Sequence, residues 1–186
     1  MQSGFLAPTS AGFAVSTQIL HVLDHLQPSA ASSRLLLLAR RLSGTAGTTD
    51  RLTVVSLQRI QGRPECVASA RRLAAAGVQV ESVSQAAGWD PLAPVRLRRL
   101  IGRLQPDVVH VWQPAGLAWA RMAAPGRPLI ASIDNWPGRY DRWLLSLMRS
   151  SIRHVAAVVI PNEAMAVPVR KFLAVRDEQL TIIPPG

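Results

Sequence analysis

The chain has 186 residues, 48% hydrophobic and 17% charged, which suits one globular domain with a substantial core and excludes a disordered chain or two large domains. Its net charge is +10, with 21 Lys and Arg against 11 Asp and Glu, and Lys171 is the only lysine. Such a balance either reflects a composition bias of the source or attracts anionic partners: nucleotide diphosphates, membrane headgroups or nucleic acid.

The chain opens on Met1 to Thr17, a stretch with no Lys or Arg, which reads as a loose tail and not as a secretory leader. The most apolar run, Leu35 to Ala39, lies between Arg34 and Arg40 and is far shorter than the roughly 20 residues of a spanning helix. Cys66 is the sole cysteine, so no internal disulfide forms, the cytoplasm fits, and the residue reads as a small apolar helix position.

Seven short apolar runs then follow in order: Gln18–Leu23, Leu52–Leu57, Val78–Val83, Asp107–Trp112, Leu129–Ile133, Val155–Ile160 and Leu180–Ile183. Most are nearly continuous rather than alternating, the pattern of strands buried on both faces in a parallel sheet. Between them lie helical patterns. Ser32–Leu42 ends in an Arg-Arg pair with Gly44 and Gly47 beyond it, and Glu65–Ala76 ends at Gly77. Pro91–Leu104 has Asp90 as its expected N-cap, Pro91 at its first position and Leu92, Val95, Leu100 and Leu104 as its apolar face. Ala115–Ala123 and Arg139–His154 follow, then Glu163–Leu173, where Pro168 predicts a kink or a late start. Strand–helix alternation of this kind predicts a Rossmann-like, doubly wound parallel sheet of about seven strands with helices on both faces.

Ligands of such folds bind beyond the carboxyl ends of the strands, so the residues just after each strand are the candidates. After the first strand, Ser29, Ala30, Ala31 and Ser32 offer backbone amides at a helix start, where a phosphate would sit, although no glycine allows a close approach. After the fourth come His110, Trp112 and Gln113, with His110 and Trp112 on one face. After the fifth lies the densest polar cluster, Asp134, Asn135, Trp136, Arg139 and Tyr140, and after the sixth lie Asn162 and Glu163. Each has a plainer reading too: a Ser N-cap in an ordinary loop, a satisfied structural histidine, a core tryptophan, a turn at Asp134-Asn135, an N-cap at Asn162. The sequence contains no GxxxxGK[ST], GxGxxG or GxSxG motif and no metal-ligand spacing.

In this order, "ILHVLDHL", "RLLLLARRL", "LTVVSL", "LAAAGVQVESV", "DPLAPVRLRRLIGRLQPDVVHVW", "VAAVVIPNEAM" and "LTIIPPG" resemble the N-terminal domain of the GT-B glycosyltransferases of family 4, over about residues 18–186. "LQPDVVHVW" and the closing "LTIIPPG" are the most specific pieces. The resemblance implies two Rossmann-like domains facing a cleft. The N-terminal one takes mostly the acceptor, and the C-terminal one holds most contacts to the nucleotide-sugar. Transfer is retaining and generally needs no metal or other cofactor. Because the chain stops at Gly186, where the family leads into its second domain, the expectation is an acceptor-side half, inactive alone: either a truncated product or one half of a split enzyme completed by a separate donor-binding chain. Two departures from the family stand out. Pro28-Ser29-Ala30-Ala31 occupies the place of the glycine-rich first loop, and Asp134 stands where the family often has a histidine.

The resemblance assigns Asp134 the catalytic place and Ser29, Ala30 and Ala31 the donor-phosphate loop. Trp112, Gln113, Asn135, Trp136, Arg139, Asn162 and Glu163 line the acceptor side. The partners it implies are a nucleotide-sugar and a glycan or lipid-linked acceptor, with the basic surface resting on the anionic inner face of the membrane. A non-catalytic module that binds a sugar, a nucleotide or a protein is the other reading, favoured by the two departures. Nucleic acid has only the net charge in its favour.

Overall fold

The computed structural model describes residues 17–43, 50–84, 90 and 92–184, with the side chains of Ser43, Pro114, Ala115 and Arg139 excluded. Residues 1–16 of the tail expected over Met1–Thr17, the closing glycines Gly44 and Gly47, and Pro91 lie outside the described residues, whereas Thr17 is tied down: its amide donates to Asp50 Oδ1 and its carbonyl accepts from the Arg51 amide, both at 3.0 Å. Seven strands form one sheet: β1 (Gln18–Leu23), β2 (Arg51–Ser56), β3 (Gln79–Ser82), β4 (Val108–Val111), β5 (Leu129–Ser132), β6 (Ala157–Ile160) and β7 (Leu180–Ile182). Among the described residues six α-helices join them: α1 (Ala30–Ser43), α2 (Pro64–Ala75), α3 (Ala93–Leu104), α4 (Pro114–Ala123), α5 (Arg142–Ile152) and α6 (Ala166–Leu173). The strand order is β3-β2-β1-β4-β5-β6-β7, and every pairing is parallel.

Alternate residues of the buried strands feed two cores. Leu20 and Val22 of β1, Val109 and Val111 of β4, and Val158 and Ile160 of β6 pack with Leu97, Leu117, Met148, Ile152 and Leu173 of the helices α3 to α6. On the opposite face Leu23, Val54 and Trp112 pack with Leu35 and Ala39 of α1 and with Cys66 and Leu73 of α2. Fully burying each leucine or isoleucine contributes about 1.5–3 kcal/mol, which is why the nearly unbroken apolar strands settle in the middle of the sheet.

Helix starts are where the structure departs from the sequence reading. α3 begins at Ala93, with Leu92 in the N-cap position and no side-chain cap bond. Asp90 is not its cap: the carboxylate accepts from the Leu92 amide at 3.0 Å, the Ser84 hydroxyl at 3.1 Å and the Arg96 guanidinium at 2.5 Å. The buried face of α3 is Ala93, Leu97, Leu100 and Ile101, whereas Leu92 and Val95 are about half exposed. The helix expected over 139–154 is a 3-10 turn at Pro137–Arg139 followed by α5. Pro168 sits in the first turn of α6, so that helix starts late, as one of the two expected outcomes had it.

The order β1-β4 in mid-sheet is the consequential feature. The chain builds outward from β1 to β2 and β3, then returns to lay β4 on the other side of β1. The loops leaving β1 and β4 therefore diverge and open a crevice at the carboxyl end of the sheet.

Candidate functional site at the switch point

The two diverging loops are joined by one side chain. Gln113, just after β4, accepts through Oε1 from the Asp24 amide at 2.7 Å and from the His25 amide at 3.3 Å. Its extended backbone also makes it the N-cap position of α4. One turn later, a Cβ on Gly116 would lie 2.9 Å from Asp24 Oδ1 and 3.1 Å from Val111 Cγ1, so glycine here lets the first turn of α4 pack closely on the first loop and on the end of β4. Replacing Gln113 with alanine leaves the Asp24 and His25 amides without their acceptor. The expected cost is about 1–3 kcal/mol, read by denaturant unfolding, with faster hydrogen exchange at both amides.

The fifth strand delivers the polar cluster to the same crevice. Asp134 accepts from Arg34 Nη1 at 2.6 Å, an ion pair between residues 100 positions apart, and both side chains are a quarter or less exposed. Arg34 lies near the start of α1, where a cation opposes the helix dipole, so a carboxylate beside it is favoured. Tyr140 is half-buried in the same place. Its phenol pKa is raised, chiefly by burial and further by the Asp134 and Asp24 carboxylates, against a hydrogen bond from Asn135. Gln113, Asp134, Asn135 and Tyr140 thus line a narrow cleft beyond β4 and β5. Trp136, next in the chain, is about half exposed and is not among the residues lining that cleft, and Arg139 falls in the 3-10 turn that follows.

Beneath the cleft is a buried aromatic floor. His21 and His110 are register partners on β1 and β4, and the His110 ring stacks on Trp112 at 4.5 Å. The Trp112 indole N–H donates to His21 Nδ1 at 3.0 Å, which places the His21 proton on Nε2; that atom is buried without a hydrogen-bond partner among the described residues. His110 Nε2 lies 2.8 Å from Ser132 Oγ, two residues before Asp134. Burial holds both imidazoles neutral: His21 falls well below its ordinary value, with His110 adding to the effect, and His110 falls to about 4. Trp112 is therefore fixed in the floor with only 9% exposure, and it lines the cleft beside Gln113.

In the first loop, Ser29 and Ser32 bond reciprocally: the Ser32 amide donates to Ser29 Oγ at 3.2 Å and the Ser29 amide to Ser32 Oγ at 2.9 Å. Two of the four amides expected to face an anion are thus engaged inside the turn, leaving those of Ala30 and Ala31 at the helix start. Asn162 accepts from the Met165 amide at 3.2 Å and caps the 3-10 turn Glu163–Met165, with Glu163 exposed. Those two residues stand at the end of β6, at the same end of the sheet but two strands from β4. Among the described residues no group of three or more His, Cys, Asp or Glu side chains is placed to hold a metal ion, and no helix is long and apolar enough to cross a membrane.

Arg34, Asp24 and His25 were not singled out from the sequence. A cation near the start of a helix was the available signal for Arg34, and the position directly after the first strand was the signal for Asp24 and His25.

The model of glycosyltransferase family 4 matches residues 31–186. No curated protein sequence matches the chain. Among solved structures, the Anabaena protein Alr3699/HepE in complex with UDP and glucose is similar at 16% identity and a TM-score of 0.68, with 91% of this chain and 44% of that one covered. A glycosyltransferase from Rickettsia africae is similar at 13% identity and a TM-score of 0.61, covering 91% and 43%. A UDP-N-acetylglucosamine 2-epimerase from Rickettsia bellii is similar at 9% identity and a TM-score of 0.60, covering 92% and 45%. At these identities the likeness is one of fold, and the chain spans less than half the length of each of these structures.

Proposed function

Because the chain belongs to glycosyltransferase family 4, we propose that it is the acceptor-side half of a retaining glycosyltransferase, residues 18–186 forming that half and a donor-binding domain completing it. The donor is a nucleotide-sugar and the acceptor a glycan or a lipid-linked sugar, taken up at the cytoplasmic face of an anionic membrane. The observation that carries this reading is the convergence of Asp134, Asn135, Tyr140 and Gln113 on one cleft at the sheet's switch point, with Asp134 fixed in place by its ion pair to Arg34.

In the reaction, an acceptor hydroxyl replaces the nucleoside diphosphate at the anomeric carbon on the same face of the sugar. The hydroxyl proton leaves with the departing diphosphate. Asp134 faces the transferring sugar, where a fixed carboxylate accepts from a sugar hydroxyl and stabilises positive charge developing at the ring. Asn135 and Tyr140 supply further hydrogen-bonding groups, Arg139 meets a phosphate or carboxylate, and Trp136 offers a ring face. The amides of Ala30 and Ala31 face the diphosphate at the start of α1.

A second reading, a binding module without catalysis, draws on the Arg34–Asp134 pair and the Ser29–Ser32 bonds, which commit those groups internally. Amide NMR of the chain titrated with UDP-glucose and with neutral sugars tests the location. The expected result is shifts confined to residues 24–34, Gln113 and residues 134–140. Shifts at the opposite, amino end of the strands would refute the placement of the site.

A further inference from the structure

A second concavity lies at the same end of the sheet, beyond β2 and β3. It is an open cup of about 520 Å³ lined by Arg59, Gln61, Ser82 and Ser84. That volume falls in the range of small-molecule sites, roughly 300–1,000 Å³.

Its walls are fixed by side-chain bonds. The Ser56 and Ser82 hydroxyls both donate to the Gln58 carbonyl, at 2.8 and 3.0 Å, so the loops leaving β2 and β3 are tied to one atom. Arg63 Nη1 holds the Gln58 side chain at 3.1 Å. On the far side Arg96 donates to the Val83 carbonyl at 3.2 Å and to Asp90 at 2.5 Å.

The charges around the cup do not cancel. Asp90 is taken by Arg96, and Glu81 by Arg103 at 2.7 Å. Arg59 is exposed and makes no ion pair among the described residues. An uncompensated guanidinium at the mouth of a polar concavity concentrates anions, and its planar fork suits a phosphate or a carboxylate. In the sheet order β3-β2-β1-β4-β5, only β1 separates β2, which edges this concavity, from β4, which edges the cleft, and both open at the same end of the strands.

We propose that this concavity is a subsite for an anionic group carried by the acceptor, a phosphate or a carboxylate, with Arg59 as its charge contact and Gln61 as a second donor. The assignment to the acceptor rests on the reading of the neighbouring cleft as the acceptor side.

The test titrates the full chain with glucose 1-phosphate, glucuronate and glucose, followed by amide NMR. The expected result is that at least one anion shifts the amides of Gln61, Ser82 and Ser84 and binds at least about tenfold more tightly than glucose. Arg59→Gln removes that advantage without changing the affinity for glucose, and Arg59→Lys retains part of it. Preference for glucose 1-phosphate assigns a phosphate-bearing acceptor, and preference for glucuronate a uronic acid. Equal binding of all three probes, no binding, or an affinity unchanged in Arg59→Gln overturns the proposal. UDP-glucose shifts at residues 134–140, recorded on the same samples, separate that failure from a failure of the cleft itself.

Discussion

Replacing Asp134 with asparagine, in the chain completed by a donor-binding domain, is expected to lower kcat for sugar transfer by about 10²–10³ while costing the fold less than about 1 kcal/mol. Asparagine keeps the shape of the side chain and one acceptor oxygen, so the Arg34 contact weakens without leaving a cavity. What it removes is the negative charge beside the transferring sugar, which matters only as charge develops in the transition state. Arg34→Gln should act through the carboxylate it holds: kcat falls by about tenfold and KM changes little, because Asp134 loses its fixed position. Steady-state kinetics alongside urea unfolding separates the outcomes. If Asp134→Asn leaves kcat intact, the residue is a turn and tether, and the catalytic assignment fails.

Acid is expected to destabilise the fold steeply below pH 6.5. His110 titrates at about 4 in the folded chain and at its ordinary 6.5 when unfolded. Above pH 6.5 both states hold it neutral and it contributes nothing to the pH dependence. As the pH falls, the unfolded chain takes up the proton first, and stability drops until the folded imidazole protonates near pH 4. Each unit of that gap is about 1.4 kcal/mol, so His110 alone removes roughly 3 kcal/mol between pH 6.5 and 4. His21, also held well below its ordinary value by burial and in contact with the same Trp112, adds in the same direction. Against a typical total of about 5–15 kcal/mol, the loss is large. Urea midpoints measured from pH 7.5 to 4.5 should fall with a slope exceeding one proton, and His110→Gln should flatten the curve. A flat profile in the native chain would show that the pair is not buried as described.

Most of the fold is legible in the sequence because burial on both faces leaves its mark on composition. Gln18–Leu23 is read as a strand to the residue, and the other six strands to within one or two. The helix ends are less legible, for identifiable reasons. Asp90-Pro91 and Leu92-Ala93-Pro94 are competing start signals for α3, and Asp90 is diverted to Ser84, Leu92 and Arg96. The true apolar stripe, Ala93, Leu97, Leu100 and Ile101, is present at helical spacing, but Leu92 and Val95 obscure it.

The site divides the same way. The location of the polar cluster after β5 follows from the strand-end rule alone. Its wiring does not: Arg34 meets Asp134 and Gln113 meets Asp24 only because β1 lies beside β4, an order that local patterns do not encode.

Sugar transfer by the chain joined to a donor-binding domain, supplied by the adjoining DNA or as a separate chain, is the most direct test of what this domain does. A panel of nucleotide-sugars and glycan or lipid-linked acceptors should yield at least one product with the donor's anomeric configuration retained, and Asp134→Asn should suppress it. If a donor-binding domain shown to hold its nucleotide-sugar yields no product with any acceptor, this chain is a binding module and not half of a transferase.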